Sequence, residues 1–205
     1  MKDLDHPHII KLYCVYNTSK RVILNTEFCG DITLQDYLRS YPNMIREEKI
    51  KDIFRSVAKA IGYCHSKGVC HRDLKLDNIL INHEGVIKLI DFGFAIRKTA
   101  TNDKITDFCG TPSYMSPEIV QRRPYDGLKS DIWALGILLY KLLIGRYPFK
   151  GCNDEELYKS ILHKEPTYNS NISPAVKFLI AGMLIKNPVK RISAEEILND
   201  PWFNY

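Results

Sequence analysis

The spacing of apolar positions changes along the chain. Ile9 to Tyr16 and Arg21 to Thr26 are dense in Ile, Val, Leu and Tyr, with the turn-forming cluster Asn17-Thr18-Ser19-Lys20 between them. That pattern predicts two strands. From Gly30 onward the chain becomes helical. Ile50, Ile53, Phe54, Val57, Ile61 and Cys64 recur at steps of three and four, the signature of one face of a long amphipathic helix, and Gly68 breaks the pattern. Two further short strands are expected at Asn78 to Ile81 and Val86 to Leu89, around the turn Asn82-His83-Glu84-Gly85. Asp91 to Pro117 has no period, and a loop that long inside a compact domain is usually functional. Ile132 to Ile144 is apolar on nearly every side, as a buried central helix would be. Helix starts are marked by Asn153 with Glu156, by Ser193 with Glu196, and by Ser173 before Pro174. No internal repeat is visible. The pattern describes one helical body with a small strand-rich N-terminal piece.

Composition narrows the class. The chain has 205 residues, 45% hydrophobic, 26% charged and 11% aromatic, which is globular rather than disordered and enough for one large domain or two small ones. There are 29 Lys and Arg against 24 Asp and Glu, a net +5 scattered without a basic run, so nucleic-acid binding is not implied. Cys14, Cys29, Cys64, Cys70, Cys109 and Cys152 show neither metal-ligand pairing nor the density of a disulfide scaffold. Reduced thiols in an intracellular protein are the expectation, in the cytoplasm or the nucleus. The opening Met1-Lys2-Asp3-Leu4-Asp5 is charged where a signal peptide is apolar, and Ile132 to Ile144 is too short to span a bilayer. No membrane partner is expected, and the sequence does not set the oligomeric state.

The chemistry concentrates between Cys70 and Gly93. His71-Arg72-Asp73-Leu74-Lys75, then Asn78, then Asp91-Phe92-Gly93 resemble the catalytic core of a eukaryotic protein kinase. Phosphoryl transfer through a loose transition state needs positioning and charge neutralisation more than a covalent nucleophile. The resemblance makes Asp73 the acceptor of the substrate hydroxyl's proton and sets Lys75 to neutralise the transferring phosphate. Asn78 and Asp91 would hold Mg²⁺, an ion that favours oxygen ligands. The competing explanation is that each is an ordinary polar loop residue. Three motifs in order, with the strand pair between the second and third, weigh against it.

Similarity extends along the chain. Gly110 to Glu118 resembles the family's peptide-positioning loop and its closing Ala-Pro-Glu motif, with Ser116 in place of Ala. Asp131-Ile132-Trp133 resembles the start of the central helix, whose Asp steadies the catalytic-loop backbone, and Arg191 matches the arginine that pairs with the Glu of the closing motif, here Glu118. A buried Glu118–Arg191 pair is therefore expected as scaffold. Lys75 and Thr111 match the serine/threonine pattern. Tyr63-Cys64-His65 and Asp200-Pro201-Trp202-Phe203 look most like the calcium/calmodulin-dependent and AMP-activated kinase group. Asp77 stands where an acid often favours basic residues upstream of the target hydroxyl, or is simply a solvated loop residue. For ATP, the resemblance implies Thr26 as gatekeeper, Glu27 and Cys29 as hinge positions and Leu80 as pocket floor. Cys29 is a reactive thiol or, more commonly, a packed inert one. The family's phosphorylation site falls two residues before Cys109, which here is Asp107. Asp107 would pair with Arg72 and order the loop as a phosphate does, unless the register shifts and Thr106 is the phosphosite.

The family's glycine-rich loop, strand lysine and helix glutamate have no counterpart in these residues. Leu4-Asp5-His6-Pro7-His8-Ile9-Ile10 resembles the turn that leaves the glutamate-bearing helix, so the expected layout has residues 1–29 as the end of the N-lobe and the hinge. Residues 30–205 would be the C-lobe, with the catalytic loop at 70–78 and the activation segment at 91–118. The implied fold class is α+β, a protein kinase-like fold reduced to a mainly helical C-lobe and a two-stranded remnant of the N-lobe sheet. The implied activity is ATP- and Mg²⁺-dependent transfer to serine or threonine hydroxyls of proteins, weak or absent in this chain alone. A non-catalytic C-lobe acting as a binding module is the rival. A small-molecule phosphotransferase is disfavoured, since it would not need Gly110 to Glu118.

Overall fold

The computed structural model describes residues 1–41, 45–98, 104–168 and 172–204. Residues 99–103 of the expected activation segment and Tyr205 lie outside the described residues.

Strands β1 (Leu12–Asn17) and β2 (Val22–Thr26) pair antiparallel, from Leu12 opposite Thr26 to Asn17 opposite Val22, with a bulge between Leu12 and Cys14. The Thr18 hydroxyl closes the turn, accepting from the Arg21 N–H (2.9 Å) and donating to the Arg21 carbonyl (3.0 Å). The strand starts later than the apolar run, which begins at Ile9, because that end of the run pairs elsewhere. Ile10 N–H donates to the Leu89 carbonyl (2.9 Å) and Leu89 N–H to the His8 carbonyl (2.8 Å), which fastens the N-terminal segment to the helical body.

The body starts with α1 (Leu34–Ser40) and α2 (Glu47–Ser66), whose Ile50, Ile53, Phe54, Val57, Ile61 and Cys64 are all buried. Glu47 and Glu48 sit in the first turn, where the helix dipole favours acids, and Gly68 turns the chain out at φ +70°. β3 (Val69–Cys70) leads to a 3₁₀ turn at Leu76–Asn78, then β4 (Ile79–Ile81) and β5 (Ile87–Leu89) pair antiparallel. Asn78 thus belongs to the turn rather than to the strand. β6 (Ile96–Arg97) pairs with β3 inside the stretch expected to be plain loop. Two residues are too few to produce a period.

After α3 (Pro117–Val120), the central helix α4 (Gly127–Ile144) begins five residues before its apolar run, capped by Asp126, which accepts from Leu128 N–H at 2.9 Å. Two of those early residues, Ser130 and Asp131, are polar yet buried. α5 (Asp154–His163), α6 (Pro174–Met183) and α7 (Ala194–Leu198) complete the body. Ser193 and Glu196 form a full capping box, whereas Glu156 accepts from Cys152 N–H instead of the Asn153 cap. Trp202 and Phe203 close the core against Phe54, and Trp202 Nε1 donates to Glu47 (2.8 Å). Burial of side chains this large contributes roughly 1.5–3 kcal/mol each. No helix among the described residues is long and apolar enough to cross a membrane.

Candidate functional site

The site is built around a buried carboxylate on α4. Asp131, 1% exposed, accepts from the backbone N–H of His71 (2.8 Å) through one oxygen and of Arg72 (2.8 Å) through the other. The His65 ring nitrogen from α2 lies 3.1 Å from the first oxygen. These bonds hold Arg72 at φ +66°, in the left-handed region that costs a non-glycine residue of order 1–3 kcal/mol. His71 is fixed in turn by its ring nitrogen on the Ile90 carbonyl (3.1 Å) and by edge-on packing with Phe92. The strained loop is held from both sides.

That loop presents Asp73. One of its oxygens lies 2.8 Å from Lys75 Nζ and 3.1 Å from Asn78 Nδ2; the other accepts from the Thr111 hydroxyl (2.8 Å) and N–H (3.1 Å). Lys75 Nζ also reaches the Thr111 hydroxyl (3.1 Å). Thr111, 38 positions from Asp73 and 36 from Lys75, thus meets Lys75 at one carboxylate. Gly110 permits the approach: its φ is +104°, and a Cβ there would come within 2.9 Å of the Arg72 carbonyl.

Asn78 donates its second Nδ2 bond to the Asp73 carbonyl (2.8 Å), and its amide oxygen takes no hydrogen bond among the described residues. The Asn78 carbonyl accepts from Ile90 N–H (2.9 Å), which brings Asp91 alongside. Asp91 is exposed and also left-handed (φ +57°), with one carboxylate oxygen on Gly93 N–H (3.1 Å). A free amide oxygen beside an open carboxylate is an all-oxygen donor set. It fits Mg²⁺, which binds through one or two protein oxygens and completes its shell with water and phosphate.

Asp91 also borders a cleft of about 470 Å³, lined further by Leu24, Thr26, Glu27, Cys29 and Leu80. Burial raises the Cys29 thiol pKa, which works against reactivity. The Glu27 carboxylate is occupied by Lys88. Its backbone carbonyl, and both backbone groups of Cys29, make no backbone hydrogen bond among the described residues, so they are available to a planar heterocycle in the cleft.

Arg72 reaches in the other direction, donating from Nε to the Phe94 carbonyl (2.6 Å) and from Nη1 to Asp107 (2.8 Å), while Thr106 is exposed. Below the loop, Arg191 (1% exposed) grips Glu118 through two bonds of 2.8 and 3.0 Å. Its remaining N–H groups go to the carbonyls of Lys129, Ile185 and Lys186. Sequence reasoning missed His65 as a third hand on Asp131. Nothing in its spacing separates it from the surrounding helix.

A helical body, a catalytic-type loop strained over its central helix, and an open cleft beneath a two-stranded sheet define a protein kinase-like fold. Comparison with known proteins agrees: the protein kinase domain model matches residues 1–203. The chain is 40% identical over 209 residues to NUAK family SNF1-like kinase 1 of Homo sapiens, covering all of this chain and 31% of that protein. It is 39% identical over 204 residues to the probable serine/threonine-protein kinase MARK-A of Dictyostelium discoideum, covering all of this chain and 19% of that protein. To the maternal embryonic leucine zipper kinase of Xenopus laevis it is 37% identical over 203 residues, 98% of this chain and 31% of that protein. The chain belongs to the protein kinase family, and these relatives are serine/threonine kinases of the AMP-activated-kinase-related group. It spans less than a third of their length.

Proposed function

We propose that this chain carries the hinge, catalytic loop and activation segment of an ATP- and Mg²⁺-dependent kinase that phosphorylates serine and threonine hydroxyls of proteins. The convergence of Lys75, Asn78 and Thr111 on Asp73 is the observation that carries this reading. A substrate hydroxyl replaces the Thr111 hydroxyl at Asp73. Asp73 takes its proton as the oxygen attacks the γ-phosphorus, and the bond to the bridging oxygen of ADP breaks. Lys75 faces the negative charge spread over the equatorial oxygens. Asn78 and Asp91 hold Mg²⁺, which when bound supplies further neutralisation of the phosphates. Leu80, Thr26 and the open backbone groups of Glu27 and Cys29 would hold the adenine.

Asp107 orders the activation segment by pairing with Arg72. Thr106 as a phosphosite is the alternative. As a stand-alone chain these residues turn over slowly, because the family's glycine-rich loop and strand lysine are not among them, and one lost electrostatic contact commonly costs roughly 10²–10³ in kcat. Six free thiols suit a reducing compartment, cytoplasm or nucleus.

The test is transfer of labelled γ-phosphate from Mg·ATP to a serine/threonine peptide mixture. Slow incorporation that vanishes in Asp73→Asn supports the reading, and incorporation equal in both proteins defeats it. A second reading is a non-catalytic binding module. It is favoured by the apolar side chains that β1 and β2 leave exposed, including Tyr13, Tyr16, Val22 and Leu24.

A further inference from the structure

The outer edge of β2 is a row of backbone groups left unpaired among the described residues. Two bonds at its ends fix which way each residue points. Thr18 N–H donates to the Arg21 carbonyl and Glu27 N–H to the Lys11 carbonyl (both 2.9 Å), so the odd-numbered residues of β2 bond inward to β1. The N–H and C=O groups of Val22, Leu24 and Thr26 therefore point away from β1, and no third strand pairs with them among the described residues. β1 guards its own edge with the bulge before Cys14 and with Lys11 ahead of it. β2 carries none of these guards: Val-Ile-Leu-Asn-Thr has no proline, no charge and no bulge of its own.

The side chains of this strand are as open as its backbone. Val22 is 67% and Leu24 53% exposed, and Ile23 with its cross-strand neighbour Tyr16 is exposed on the opposite face. A lone two-stranded ribbon is marginal in water and gains stability from further strands. The edge also fits itself. Turned about a two-fold axis at Leu24, β2 of a second copy runs antiparallel, with Leu24 opposite Leu24 and Val22 opposite Thr26, so that the outward-pointing groups of both strands meet. Just beyond the strand, exposed Arg21 of one copy comes opposite Glu27 of the other, which puts unlike charges at both ends of the ladder. Self-complementarity of this kind is what a two-fold contact requires. An unrelated strand would match the backbone without matching the charged ends.

We propose that two copies of this chain pair edge to edge through β2, making one four-stranded antiparallel sheet across a two-fold axis at Leu24. The proposal stands apart from the phosphoryl-transfer reading. Analytical ultracentrifugation of the chain in reductant should show monomer at about 1 µM giving way to dimer at about 100 µM. Leu24→Pro removes only an outward-pointing N–H, so by circular dichroism it should stay folded, and it should remain monomeric at the higher concentration. Cysteine pairing reads the register without depending on that variant. On mild oxidation, and beyond the wild-type background, Leu24→Cys should link to itself. Val22→Cys should link to Thr26→Cys and not to itself, since only facing residues bring their Cα atoms within roughly 4.4–6.8 Å. A chain that stays monomeric up to about 100 µM overturns the proposal. So does a dimer that persists in folded Leu24→Pro, or Val22→Cys linking to itself as readily as Leu24→Cys does.

Discussion

Replacing Arg191 with Ala probes the scaffold under the activation segment. The side chain is fully buried, all five of its N–H groups are used, and its partner Glu118 is 6% exposed. Truncation strands the Glu118 carboxylate in the core and leaves three backbone carbonyls without that donor. Breaking one side of a buried pair costs about 3–5 kcal/mol. For a chain of this size each kcal/mol moves Tm by roughly 2–4 °C, so Tm should fall by roughly 6–20 °C. Arg191→Lys should recover little, because an ammonium cannot span both oxygens of Glu118 and the three carbonyls at once. Thermal melts by circular dichroism of Arg191→Ala, Glu118→Ala and the double variant decide it. The double variant should lose clearly less than the sum of the two singles, since removing the second partner removes the stranded charge. An unchanged Tm for Arg191→Ala, or strict additivity, would mean that the pair does not hold this part of the core.

Three further outcomes are expected. Asp107→Asn should lower activity only a few-fold, because Asp107 is 65% exposed and such pairs contribute about 0.2–1 kcal/mol; an unchanged rate in Asp107→Asn with loss in Thr106→Ala would transfer the role to Thr106. Gly110→Ala should disorder the catalytic loop, read as lost peptide binding with a lowered Tm, since its Cβ would press on the Arg72 carbonyl at a φ alanine rarely adopts. Burial pushes the thiols of Cys64 and Cys70 up to about 12 from an ordinary 9.0, so the unfolded chain releases protons there that the fold retains. Stability should therefore fall as pH rises from about 9 to 12, and the urea midpoint of Cys64→Ala/Cys70→Ala should decline less steeply over that range than wild type.

The long helices were legible because their periods are long. The face of α2 is written in six apolar residues, and the run of α4 in an almost unbroken apolar segment. The limits of elements were less so. Ile9 looks like strand and is buried, but its neighbours pair with Leu89 and not with β2. β3 and β6 are too short to mark themselves, and their pairing depends on the path of the loop between them. At the site, residue types and order pointed to Asp73, Asn78 and Asp91, because phosphate chemistry restricts which side chains serve. The partners that hold them are not so restricted. His65 supports Asp131 across the α2–α4 interface, and Thr111 reaches Asp73 from 38 positions away, so tertiary packing alone brings them together.

Nucleotide binding separates a phosphoryl-transfer site from a binding module whatever the turnover. Melting the chain with and without millimolar Mg·ATP should raise Tm for wild type. A ligand at about 100 times its Kd adds about 2.7 kcal/mol, or roughly 5–11 °C here. The shift should shrink when EDTA removes the metal and in Asp91→Asn. A Tm that ignores Mg·ATP, in a chain that melts cooperatively, would contradict the kinase account and leave the binding module in its place.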